Sequence, residues 1–171
     1  MTMPDRGGRV LPESTGHDPF DALVIRTDFG DDASWHAVVE ELLRPWGPDG
    51  AFPPRVRLID APAWSGATAD DVLAAVGEDD DLGVVFLADR ATRDSPARAL
   101  LALTTIRDDD GDGDLDPVYY QDLIDAPEPR EFRAAPAAIH GIHVNVALGN
   151  LDFAEFAAAA AKEPDRVLRP F

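Results

Sequence analysis

Three aspartates in this sequence each follow a short apolar run with the composition of a β-strand. They are Asp28, Asp60 and Asp89. Because the carboxyl ends of parallel strands meet at one edge of a sheet, the three carboxylates are expected to share a rim, with Asp31 and Asp32 nearby. Magnesium binds a few carboxylates and keeps several waters. The pattern is therefore compatible with a magnesium site and a magnesium-dependent enzyme.

The same aspartates have a second interpretation, because Asp is also a common helix cap and turn residue. Arginines that can pair with the carboxylates would turn the rim into a set of ion pairs. The candidates are Arg26, Arg90, Arg93 and Arg98. The second interpretation is purely structural. As binding residues of the rim we predict Asp28, Asp31, Asp32, Asp60, Asp89, Arg90 and Arg93.

The densest run of carboxylates is the segment DDDGDGDLD, residues 108–116. Its spacing resembles an EF-hand-type calcium loop, with Gly113 at the turn position. Tyr119 stands where that loop has its bidentate glutamate, so we predict only weak binding of calcium. The predicted ligands are Asp108, Asp110, Asp112, Asp114 and Asp116. A solvated acidic hairpin loop is the alternative.

Two histidines, His140 and His143, have a spacing that on a helix can present both rings to one metal. The sequence offers no obvious third ligand, so we expect the two rings to form local hydrogen bonds instead. The chain has no GxSxG elbow, Walker loop, dinucleotide fingerprint or HExxH helix. These observations favour a protein without catalytic activity.

The composition is strongly acidic, with 33 acidic and 15 basic residues and a formal net charge of −18. Such a charge repels nucleic acid and anionic lipid at long range, so we expect neither as a partner. A basic protein or a metal cation is the better expectation. The acidity is also typical of a proteome-wide adaptation in a high-GC or salt-adapted host.

The 171 residues are compatible with one domain, which we place at residues 21–171 behind a flexible tail at residues 1–20. The chain contains no cysteine, which favours a reducing compartment, and we predict a cytoplasmic protein. The longest uncharged stretch is interrupted by Pro, Gly, His and Asn, so we expect no membrane span.

The alternation of apolar strands and amphipathic helices predicts an α/β fold, βαβαβ, followed by a β-hairpin and C-terminal helices. We expect a three-layer sandwich with a mixed sheet. Only about ten residues separate the strands at 82–88 and 99–106, too few for the usual helical crossover, so the fourth strand is predicted to be antiparallel. A further strand is predicted around residues 118–123, and helices over residues 137–146 and after Asp152.

Several segments together resemble a family of small uncharacterised acidic α/β domains from high-GC, actinobacterial-type bacteria. These are VIRTDFGDDASW, VVFLADRAT, ALGNLDFAEFA and the final RPF, so the resemblance covers residues 22–171. It implies no particular activity. Because the sequence combines a charge of −18 with no catalytic motif, we expect a non-catalytic interaction module, immunity-like or regulatory, with an acidic surface for a basic protein partner. A magnesium-dependent enzyme and a weak calcium-binding protein are the alternatives.

Overall fold

The first half of the chain forms two parallel strands joined by a helix. The structure is a computed structural model that describes residues 19–76, 82–105 and 129–170. Strand β1 spans Ala22–Arg26 and is buried along its length, helix α1 spans Asp32–Leu42, and strand β2 spans Val56–Ile59. Asp31 caps α1 by accepting a hydrogen bond from the amide of Ala33 at 3.0 Å. The predicted strand-to-helix unit is confirmed.

The central part of the chain crosses back over β1 and then reverses direction. Helix α2 spans Ala69–Val76 and leads to the fully buried strand β3, Val84–Ala88. After a short helix α3, Arg90–Asp94, strand β4 at Leu100–Thr104 pairs antiparallel with β3. The prediction of an antiparallel fourth strand is confirmed, because a connection this short cannot carry the chain back to the start of a parallel strand.

The C-terminal part adds two strands and two helices. Strand β5 spans Glu131–Ala134 and pairs antiparallel with β4, and helices α4 and α5 span Ile139–Ala147 and Phe153–Lys162. A two-residue strand β6, Val167–Leu168, runs parallel to β5 at the edge. Both helices were predicted, whereas β5 and β6 were not. The strand predicted around residues 118–123 lies outside the described residues.

The strands form one mixed sheet in the order β2-β1-β3-β4-β5-β6, with helices on both faces. The larger core cluster packs α1, α4 and α5 on one face, and the second packs α2 on the other. The chain moves outward from β1 to β2 through α1 and then back to β3 through α2, with the two helices on opposite faces, as expected when both crossovers have the usual right hand. The predicted three-layer α/β sandwich is confirmed. None of the helices in the described ranges is long and apolar enough to cross a bilayer.

Candidate functional site

The candidate site lies at the carboxyl ends of β1, β2 and β3. Strands β1 and β3 are neighbours, and the connections on either side of them lie on opposite faces of the sheet. A crevice opens at such a switch in strand order, and ligands of open α/β sheets bind there. The cleft at this position has about 530 Å³ of water-accessible space. It is lined by Thr27, Asp28, Phe29, Gly30, Ser65, Gly66, Ala67, Asp89 and Arg90.

A buried arginine, Arg26, organises one side of this rim. Its side chain is 5% exposed, and its guanidinium donates to Asp32 Oδ1 at 2.6 Å and to Asp60 Oδ1 at 3.3 Å. The Nε atom donates to the backbone carbonyl of Asp28 at 3.0 Å. The ring of Phe29 lies 4.3 Å from the guanidinium carbon, which adds a cation–π contact. One planar, permanently charged group thus anchors two carboxylates and the turn after β1.

The second oxygen of Asp60 is also occupied, because Trp35 Nε1 donates to Asp60 Oδ2 at 3.0 Å. Asp32 differs, since its side chain is 76% exposed and contacts Arg26 through a single oxygen. The hydrogen bond and the charge of Arg26 hold the pKa of Asp32 below its ordinary value. The carboxylate of Asp32 is therefore ionised at neutral pH and presents its outer side to solvent.

Asp28 is held by a different arginine. Arg93 Nη1 lies 3.2 Å from Asp28 Oδ2, and both side chains are about three-quarters buried. Gly30 allows this approach, since a Cβ atom at position 30 would lie 2.0 Å from Arg93 Nη1. A side chain at position 30 would therefore have to displace the Arg93 guanidinium from its present position.

Asp89 performs two structural tasks at the end of β3. It caps α3 by accepting from the amide of Thr92 at 3.0 Å, and it receives both Nη atoms of Arg133, at 2.7 and 2.8 Å. Burial works against the charged form of Asp89, but the hydrogen bonds and charge of Arg133, together with Thr92, outweigh it and lower the pKa of Asp89. Asp89 is thus a fixed, ionised anchor.

The structure brings the predicted rim residues to one edge, but in unequal roles. Asp31 is the cap of α1, and Arg90 is an exposed side chain 3.8 Å from Asp94. Arg98, predicted as a possible partner of the strand-end aspartates, pairs with Glu41 instead. Arg133 was missed because the strand that carries it was not predicted. The burial of Arg26 was signalled only by its place at the end of an apolar run.

The structure does not assemble a metal site from the candidates that it describes. Within residues 19–76, 82–105 and 129–170, no group of three histidine, cysteine, aspartate or glutamate side chains is arranged to hold a metal ion. His140 and His143 form hydrogen bonds through Nε2, at 2.9 Å from Leu42 O and Pro19 O, so their partners are distant in sequence and not local. The calcium-loop candidates Asp108, Asp110, Asp112, Asp114 and Asp116 lie outside the described residues.

These features define a class of small three-layer α/β domain whose strand-end carboxylates are held by arginines. Residues 21–171 match the family described as a domain of unknown function (DUF6924), and the chain belongs to that family. No curated protein shows a significant match to the chain.

Proposed function

We propose that this chain is a non-catalytic interaction module whose acidic rim binds a basic protein partner. The rim is the edge formed by Asp28, Asp31, Asp32, Asp60 and Asp89. The observation that carries the proposal is the position of Arg26, which lies beneath the rim and holds Asp32 and Asp60 from the buried side. The side chains of Asp32 and Asp60 are 76% and 46% exposed, so these two carboxylates present surface to solvent above a buried cation.

A catalytic role would require a carboxylate that is free to exchange a proton, attack a substrate or bind a metal. Asp60 uses one oxygen on Arg26 and the other on Trp35. Asp89 uses both oxygens on Arg133. Carboxylates whose oxygens are already occupied are better suited to recognising a positive charge than to transferring protons, which supports binding over catalysis.

The net charge of the chain adds a long-range electrostatic attraction to the short-range contacts that the rim can make with a basic partner. With a formal charge of −18, the chain attracts a basic protein at a distance and speeds its encounter. Preorganised carboxylates then provide specificity, because their positions are fixed before the partner arrives. We expect association that weakens steeply as salt rises, since exposed charges are screened beyond about 10 Å at 0.1 M salt.

The test compares two double variants that change the net charge equally. Asp31→Asn with Asp32→Asn removes the charges of two exposed rim carboxylates, while Asn keeps an oxygen for the helix cap and for Arg26. Asp49→Asn with Asp70→Asn is the control, since both residues are exposed and belong to other parts of the chain. The probe is an oligoarginine peptide titrated by calorimetry, with Mg²⁺ as a separate titrant.

We expect the rim variant to weaken peptide binding by about fivefold or more and the control to change it by less than about twofold. Equal weakening by both variants would mean that the peptide responds only to total charge, and it would overturn the proposal. Saturable binding of Mg²⁺ that is lost in the rim variant would favour the magnesium-dependent alternative.

A further inference from the structure

Two buried histidines fasten helix α4 to distant parts of the chain. The ring of His140 donates through Nε2 to the carbonyl of Leu42, the last residue of α1. The ring of His143 donates through Nε2 to the carbonyl of Pro19, in the segment that enters β1. Residues 140 and 143 are only 3% and 1% exposed. Each bond thus ties α4 to a segment at least 98 residues away in sequence.

The second ring nitrogen of each histidine, Nδ1, makes no hydrogen bond within the part of the chain that the structure describes. Nδ1 of His140 and Nδ1 of His143 are buried and have no hydrogen-bond partner among the described residues. Since Nε2 carries the hydrogen that binds the carbonyl, Nδ1 is the unprotonated nitrogen of the neutral ring. A proton added there would create a buried positive charge in either ring. In His143 it would also create a buried donor without an acceptor, whereas the ring of His140 lies near the backbone of Arg55.

We propose that His140 and His143 form a proton-sensitive latch, which holds the entry segment and the end of α1 on α4 when neutral and releases them when protonated. The latch borders a small aromatic hollow of about 90 Å³ of water-accessible space. His140 stacks on Trp46 in this hollow, with a distance of 5.6 Å between ring centroids. Phe20, directly after Pro19, also lines it. Release of the latch would therefore uncover aromatic surface.

The charged surroundings of the two rings differ. Asp21, on the entry segment, faces His143 and favours its protonated form, although burial outweighs this and lowers the pKa of His143. The pKa of His140 is lowered mainly by burial, and the charge of His143 lowers it further by a smaller amount. The backbone groups of Leu42 and Arg55 act in the opposite direction and raise it. Arg55, before β2, also lines the hollow beside His140.

The sign of the pH dependence follows from the direction of these shifts. Both histidines have a pKa below 6.5 in the folded protein, so the folded state binds fewer protons than the unfolded chain. The latch is therefore fully closed above about pH 6.5 and weakens as the pH falls from there through the folded pKa values.

Glutamine separates the two functions of the ring, because its amide nitrogen can replace Nε2 as a donor but does not titrate at these pH values. The test measures hydrogen exchange of the amides of Ala22 and Leu43 in the full chain at about pH 7 and about pH 5.5, corrected for intrinsic rates. We expect protection of both amides to fall at least tenfold at the lower pH, while Val85 in the central strand keeps its protection.

His140→Gln with His143→Gln should abolish this response, and His36→Gln, on the exposed side of α1, should leave it intact. An unchanged pH response in the double glutamine variant would overturn the proposal, as would a wild-type protein whose entry segment is indifferent to pH. If the double variant fails to fold, ring nitrogen NMR of the wild type decides instead. The proposal requires both rings to stay neutral above about pH 6.5. Protonation of Nδ1 above that pH would contradict it.

Discussion

Arg133 on β5 binds the carboxylate of Asp89 at the end of β3 with two hydrogen bonds, at 2.7 and 2.8 Å, across the intervening strand β4. The guanidinium also lies 3.4 Å from the carbonyl of Ala99, just before β4. The pair therefore ties three neighbouring strands together beside the rim, and it fixes the carboxylate that caps α3. It makes the C-terminal part of the sheet a structural support for the candidate site.

Replacing Arg133 by Met should leave the carboxylate of Asp89 partly buried without its main partner. We expect a loss of about 2 to 3 kcal/mol in the free energy of unfolding, less than for a fully buried pair because a quarter of each side chain is exposed. Urea unfolding measures this loss.

The control is Arg169→Met, which breaks a pair of the same two-pronged geometry with Asp165. In that pair both side chains are nearly half exposed, so the loss should be much smaller. Equal losses in the two variants would show that burial does not set the strength of the Asp89–Arg133 pair.

The pKa of Asp32 reports directly on Arg26. In the wild type the carboxyl of Asp32 should titrate below its ordinary value of 3.8, because the ionised form accepts a hydrogen bond from Arg26. In Arg26→Met we expect the titration midpoint of Asp32 to rise toward 3.8, as measured by carboxyl-carbon NMR. Arg93→Met serves as the control and should leave Asp32 unchanged. The same midpoint in wild type and Arg26→Met would contradict the role assigned to Arg26.

Gly30 should be coupled to Arg93 in a double-mutant cycle. Gly30→Ala places a Cβ atom on Arg93 Nη1 and should displace the flexible guanidinium from Asp28. We expect Gly30→Ala and Arg93→Met to be non-additive by about 0.5 to 1 kcal/mol, because each removes the same ion pair.

Gly66→Ala is the comparison for this cycle. Gly66 has a φ of +73° and open space around its Cβ position, so an alanine there strains the backbone without touching Arg93. Its effect should add to that of Arg93→Met. Additivity in both cycles would show that Gly30 does not govern the position of Arg93.

Weak calcium binding by the segment Asp108 to Asp116 stays a prediction. A site with a millimolar Kd stabilises the folded state by about 1.4 kcal/mol at tenfold excess of calcium. NMR titration should show saturable shifts confined to this segment, and Asp110→Asn should abolish them. Calcium that changes neither the melting temperature nor these resonances would leave an ordinary acidic loop.

The parts of the fold that were predictable from sequence have strong local patterns. Strand β3 is a run of five buried residues, and α1 carries an apolar stripe behind an aspartate cap. Strand β5 alternates between exposed and buried residues as a half-buried strand should, but it was missed because it has only four residues and lies within a Pro-rich stretch. Strand β6 has only two residues, too few for any periodicity.

The candidate site was also predictable only in part. Its location was predictable, since parallel strands place Asp28, Asp60 and Asp89 at one edge whatever their side chains contact. The partner of each carboxylate was less predictable, because ion pairs between distant elements depend on the sheet order. Arg133 reaches Asp89 only because β4 separates β3 from β5 by a single strand.

The most direct test of the acidic rim is a map of where a basic probe binds. Amide chemical shifts recorded while an oligoarginine peptide is added should move in the turn after β1, at Asp60 and around Asp89. They should move less as salt rises, and the Asp31→Asn, Asp32→Asn variant should need at least about fivefold more peptide to reach the same shifts. Shifts spread evenly over the acidic surface, or centred on α2 around Asp70, would contradict a rim built to bind a basic partner.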